Sequence, residues 1–234
     1  MKKLALLLLL FLSFQGISQE LTGKQLLEKA IKYHDPNGNW ETFKGTLFVT
    51  MKTPKNPNRD SEIKINLPEQ YFYVKASNGE NTTEYTVDKE NCIIGFNGKE
   101  PSEEEKTTHK LSCKRANLYK NYYTYLYGLP MKLKDNGTII HDKIERKKFK
   151  GKEYLVLKAT YNKEVGKDTW YFYFNPKTYA MEVYQFFKSK PNSGEYILLT
   201  GEETINGVKM PKNRAWYYNK DDGYLGTDIL SKSN

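Results

Sequence analysis

From about residue 43 onward the chain alternates apolar and polar positions with a period of two. Ile63, Ile65 and Leu67 alternate with Glu62, Lys64 and Asn66, and Leu155, Leu157 and Ala159 alternate with Val156, Lys158 and Thr160. This is the pattern of antiparallel strands with one dry face and one wet face. Turn residues bound the runs at short intervals, and the spacing predicts strands near 43–52, 61–67, 71–76, 83–87 and 92–96. A second set is predicted near 140–149, 154–160, 169–174, 180–188, 196–204, 210–218 and 224–230. Residues 170–174 are all aromatic, so this strand is expected to be covered on both faces or to stand at a ligand-facing mouth. Met181, Val183 and Phe187 extend the apolar set opposite Glu182 and Tyr184.

Two segments carry helical spacing instead. Thr22 and Gln25 form a capping box ahead of Leu26, Leu27, Ala30, Ile31 and His34, and Asp35-Pro36-Asn37-Gly38 stops the run. The second helix is predicted over 112–127, with Ala116, Tyr119, Tyr122, Tyr123 and Leu126 on one face and Gly128 and Pro130 at its end. The expected fold is mainly β with few helices, an α+β chain. Its centre is an incomplete antiparallel β-barrel of about eleven strands, with an N-terminal helix and a mid-chain helix covering the concave face.

Two short helices cover only part of such a sheet, and exposed apolar surface costs about 25 cal/mol per Å². Either side chains fill the curve, or it keeps an apolar cavity that a ligand can enter. The expected cavity lining is Ile63, Ile65, Phe72, Leu155, Leu157, Trp170, Phe172, Met181 and Val183. The tyrosine-rich mid-chain helix is expected either to serve as a movable cover, hinged at Gly128, or to be a fixed core helix.

The first residues change the compartment. Lys2 and Lys3 precede an apolar run from Leu4 to Leu12, with Gly16 and Ser18 at the positions a signal peptidase reads. Residues 1–18 are therefore expected to be a signal peptide, and 19–234 a single exported domain with no transmembrane segment. The formal charge of +9 falls to +7 without Lys2 and Lys3, spread through mixed-sign strings that do not describe a nucleic-acid groove. Export makes a Cys92–Cys113 disulfide sustainable; two separate buried thiols are the alternative.

Chemistry is sparse. His34, His109 and His141 lack metal-binding spacing, and no nucleophile elbow or phosphate-cradling glycine loop occurs, so no catalytic residue, metal or cofactor is expected. Adjacent pairs such as His34-Asp35 and His141-Asp142 do not make dyads on a strand, where neighbours point to opposite faces. The acidic run Glu103-Glu104-Glu105 reads as a solvated loop before a helix start, and the glycosylation-like Asn81-Thr82-Thr83 and Asn136-Gly137-Thr138 read as turns.

The order of signal peptide, helix, long meander and mid-chain helix resembles the Lol-type lipoprotein carriers and outer-membrane lipoprotein-sorting proteins of the Gram-negative periplasm. Tyr171 to Thr178, with Asn175-Pro176-Lys177-Thr178, looks like the strand and "D-P-x-T" turn of those proteins, Asn175 replacing the usual Asp. Ala30 to His34, Gly128 to Met131 and Gly207 to Pro211 look like segments of an uncharacterised exported family related to these carriers. The resemblance implies a half-barrel whose helices plug an apolar cavity. It implies a monomeric, non-enzymatic periplasmic carrier for a lipid, acyl chain or other apolar ligand, peripheral to the outer membrane. The alternative is an envelope interaction protein whose cavity is only a packed core. Tyr71, Tyr73, Tyr184, Trp216 and Tyr218 would then engage a protein or glycan partner.

Overall fold

The computed structural model describes residues 21–190 and 192–231, so the expected signal peptide and its cleavage point lie outside the described residues. One meander runs through β1 (Lys44–Lys52), β2 (Arg59–Asn66), β3 (Tyr71–Asn78), β4 (Asn81–Asp88) and β5 (Asn91–Phe96). After the helical insert come β6 (Thr138–Ile140), β7 (Glu145–Phe149), β8 (Lys152–Tyr161) and β9 (Thr169–Phe174). The meander closes with β10 (Met181–Phe187), β11 (Glu195–Ile205), β12 (Val208–Tyr218) and β13 (Tyr224–Ser231). Antiparallel pairing of β1 with β13 fuses the halves into one thirteen-stranded sheet. Its two edges, β5 and the β6–β7 side, do not pair, so the sheet is an open half-barrel.

The count exceeds the expected eleven or so because the apolar-polar run near 140–149 breaks into two strands, both paired with β8. The first helix, α1 (Gly23–His34), causes the break: the Gly23 N–H donates to the Asp142 carbonyl at 2.9 Å. A Cβ at Gly23 would lie 2.1 Å from the His141 carbonyl oxygen, so only glycine allows this approach. The capping box is present, with the Gln25 N–H donating to Thr22 Oγ1 and the Thr22 N–H to Gln25 Oε1. Leu26, Leu27 and Ala30 are buried, and α1 packs on β8 and β12.

His34 ties the end of α1 to the sheet. Its Nε2 accepts the Met181 N–H at 2.9 Å, which leaves the proton on Nδ1, donating to the Lys209 carbonyl at 2.8 Å. Burial holds this imidazole below its ordinary value of 6.5. The unfolded chain therefore takes up the proton first as pH falls below 6.5, and stability drops by at most about 1.4 kcal/mol per pH unit until the folded pKa is passed. Urea midpoints between pH 7.5 and 5 should show this slope, and His34→Gln should remove it. The comparison isolates His34 from Asp228, whose burial acts in the opposite sense.

The acidic run is not a loop. Glu103, Glu104 and Glu105 form the first turn of α2 (Glu103–Thr108), where carboxylates suit the helix dipole, and Ser102 caps it by accepting the Glu105 N–H. Helix α3 (Cys113–Gly128) follows, and the Cys92–Cys113 disulfide, with Cα atoms 5.8 Å apart, ties its first residue to β5. The bridge closes a separation of 21 residues. Cys92→Ser with Cys113→Ser is expected to cost roughly 3 kcal/mol on the chain-entropy account, measured by urea unfolding.

Of the two outcomes open for β9, cover on both faces holds over Phe172–Phe174, while Trp170 and Tyr171 stay half-buried. Phe172 and Phe174 join the concave core, while Tyr173 sits in a second cluster with Tyr154, Val156 and Val183 on the outer face. Val183 thus departs from its expected place beside Met181. A register shift between Met181 and Val183 breaks the alternation, leaving Met181 on the concave face and turning Val183 outward.

Candidate functional site

Helix α3 lies across the concave face against β3, β4 and β5 and brings its tyrosines down onto the sheet. Tyr123 stacks on Phe72 with ring centres 6.4 Å apart, and Tyr119 packs on Tyr85 at 5.6 Å. At its C-terminal end the helix approaches Trp40 so closely that a Cβ on Gly128 would lie 2.3 Å from Trp40 Cζ2. Gly128, the last residue of α3, is thus packed against Trp40, and Tyr123, Leu126, Tyr127 and Gly128 are all buried.

Beneath α3 runs a row of polar groups on the dry face. Arg59 on β2 and Asp228 on β13 are both register partners of Met51 on β1, and Arg214 on β12 is the partner of Asp228. Arg59 Nη2 donates to the Tyr123 hydroxyl at 3.2 Å. Arg214 donates to the Pro211 carbonyl at 2.9 Å and the Leu126 carbonyl at 3.4 Å, and its guanidinium lies 3.9 Å from the Tyr127 ring centre. Trp216 Nε1 donates to Asp228 Oδ2 at 3.2 Å. Burial pushes the Asp228 carboxyl above its ordinary 3.8 while Arg214 and Arg59 pull it back, and burial raises the Tyr127 and Tyr184 hydroxyls.

Among the described residues three cavities border α3: one of 620 Å³ lies beside β5 at Cys113, the first residue of the helix, and two lie farther along it. The larger, 750 Å³, is bounded by Leu67, Tyr125, Tyr161, Val165 and Trp170, with Lys120 and Lys132 among its polar positions. The Tyr125 and Tyr161 hydroxyls hydrogen-bond each other at its wall. The smaller, 290 Å³, opens beside Met51, Tyr122, Trp216 and Asp228. Ring contacts run from one to the other, Tyr125 to Trp170, Trp170 to Tyr184, Tyr184 to Trp216 and Trp216 to Tyr122.

The sequence profile of a family of unknown function, DUF6503, matches residues 2–232. The chain belongs to that family. No curated protein matches it. Among solved structures, this DUF6503 chain is similar to a LolA superfamily protein from Nitrosomonas europaea, at 12% identity over 91% of this chain and 92% of that one, TM-score 0.49. It is also similar to a DUF1329 family protein from Desulfovibrio piger, at 10% identity over 89% and 91%, TM-score 0.49. A third, described as an outer membrane lipoprotein-sorting protein domain from Vibrio parahaemolyticus, is 12% identical over 90% and 92%, TM-score 0.48.

In this DUF6503 chain seven of the nine expected lining residues come together: Ile63, Ile65, Phe72, Leu155, Leu157, Phe172 and Met181, each 6% exposed or less. They form close-packed core rather than an open wall, because α1 and α3 fill the curve. Trp170 alone of the nine lines the larger cavity, and Val183 faces outward. Periodicity marked the inward face but missed the charged members of it, Arg59, Arg214 and Asp228. The signal was present: Asp228 falls two residues before Leu230, and Arg214 two before Trp216, on strands whose alternate positions are apolar. Among the described residues no group of three or more His, Cys, Asp or Glu side chains could hold a metal, and no helix is long and apolar enough to cross a membrane.

Proposed function

We propose that this chain is an exported, non-enzymatic binding or carrier protein for a lipid, acyl chain or other apolar ligand, working as a single monomeric domain in the periplasm beside the outer membrane. The observation that carries the reading is the 750 Å³ cavity between α3 and the loop after β8, walled by Trp170, Tyr125, Tyr161, Leu67 and Val165. Its volume lies within the roughly 300–1,000 Å³ of small-molecule sites. Each CH₂ of an acyl chain buried there contributes about 0.8 kcal/mol. The cavity's polar margin is mixed, with Lys120, Lys132 and Lys167 beside Asp135, Glu164 and Asp168, and Lys132 pairs with Asp135.

Solvent extraction of the purified protein followed by lipid mass spectrometry tests this, with a defined lipid as the expected result. If no lipid co-purifies and fluorescent fatty acids do not bind, the reading fails. Trp170→Ala is expected to weaken fatty-acid binding while costing less than the roughly 3–5 kcal/mol of a fully buried Trp. A second reading, an envelope protein that binds a protein or glycan, is favoured by Tyr218 and Tyr224, which are 40% and 44% exposed. Tyr184 leaves that set, since it is fully buried. Pure destabilisation by Trp170→Ala, with no ligand to lose, would favour this second reading.

A further inference from the structure

Positive charge gathers on the arm made by β7, its turn and the start of β8. Residues 143–153 hold six cations against two carboxylates, Glu145 and Glu153, a net +4 where the whole of 19–234 carries +7. Other side chains of the arm anchor it. Phe149 packs on Tyr173 and Tyr196 with ring centres 5.2 and 5.3 Å apart, Lys150 pairs with Asp222 at 2.8 Å, and Lys152 pairs with Glu182 at 2.7 Å. These contacts lay the arm against the outer face of the sheet and engage two of its cations. The remaining four, Lys143, Arg146, Lys147 and Lys148, are exposed and make no ion pair among the described residues. Neighbours on a strand point to opposite faces. Arg146, Lys147 and Lys148 nevertheless border one 80 Å³ notch, together with Glu153, Tyr154 and Pro176, because β7 lies at the sheet's edge.

A charged edge strand resists pairing with another sheet, and either sign serves that end. A run of one sign, unpaired and held in place by an aromatic anchor, also attracts an extended negative surface, where each cation adds to the others. The neighbouring turn supplies rings suited to a lipid boundary. Asp222, the partner of Lys150, lies in the 219–223 turn, which Tyr218 and Tyr224 flank at 40% and 44% exposure. Amphipathic rings of this kind favour the head-group level of a bilayer. Resting on the carrier reading above, we infer that this arm is the surface by which the carrier docks on an anionic phospholipid membrane, with Arg146, Lys147 and Lys148 toward the lipid phosphates. Glu145 and Glu153 oppose the attraction, so the docking is weak and reversible, as suits a carrier that must leave the membrane.

Co-sedimentation of the purified protein with vesicles tests this, using phosphatidylcholine alone and phosphatidylcholine with about one-third phosphatidylglycerol. Binding is expected to the second only, weakening as salt is raised. Replacing Arg146→Gln, Lys147→Gln and Lys148→Gln together should weaken it on the order of a hundredfold, the scale of three membrane-proximal cations. All three side chains are exposed, so the variant is expected to fold, and an unchanged urea midpoint checks this. The wild-type comparison of the two vesicles needs no variant. Lys24→Gln, Lys110→Gln and Lys114→Gln together remove the same charge from exposed positions elsewhere and should leave most of the binding. Equal loss from the two triple variants shows attraction by net charge alone and overturns the docking surface. No binding to the anionic vesicles, or equal binding to both kinds, overturns it as well. Laurate binding without vesicles is measured alongside. Intact laurate binding with no anionic preference leaves the carrier reading standing, whereas an anionic preference with no laurate binding removes the carrier reading and leaves the docking arm.

Discussion

Arg214→Met is expected to destabilise the protein by about 3–5 kcal/mol, because two buried carbonyls lose their donor at roughly 1–3 kcal/mol each and the buried Asp228 carboxyl loses an opposing charge. Arg214 is 1% exposed and Asp228 5%, so neither charge has water to fall back on. The guanidinium also holds the Leu126 carbonyl near the end of α3 and the Pro211 carbonyl on its own strand, both of which lose a donor. Asp228→Asn in the same background should recover a measurable part of the loss, because the uncompensated carboxylate is then gone. Urea midpoints for the two single variants and the double variant give the coupling. A loss below about 1 kcal/mol for Arg214→Met would mean that the row is solvated and α3 is not pinned by it.

Phe172→Ala is the second large effect, expected at about 3–5 kcal/mol with ligand binding changed far less than stability. Phe172 is fully buried, paired with Leu157 and Tyr184 on neighbouring strands and stacked 6.0 Å from Trp170. Trp170, two residues earlier on the same face, lines the larger cavity and should show the reverse balance. The two substitutions therefore separate core from site within one strand. Equal destabilisation and equal binding loss from both would mean that the cavity wall is simply more core.

Much of this fold is legible in the sequence because each strand has one dry face and each turn is short. The strand over Thr169–Phe174 has the predicted bounds, and α3 shifts by one residue at each end from 112–127. What escaped prediction came from contacts that local patterns do not encode. The run near 140–149 splits because Gly23, over a hundred residues away, docks at its centre. Val183 turns outward because a bulge breaks the two-residue period on which its assignment rested. The site was less legible than the fold. Apolar periodicity finds an inward face but does not tell packed core from cavity wall, and it passed over the inward-facing charges at 59, 214 and 228.

The cavity beside α3 is the centre of the functional account, and hydrogen exchange on the delipidated full chain with and without laurate tests it most directly. Laurate is expected to slow exchange in α3 and in the 162–168 loop at the cavity mouth, while the packed strands β1 and β13 are unchanged. Saturating laurate that leaves both segments unaltered, with α3 already as protected as those central strands, would contradict it.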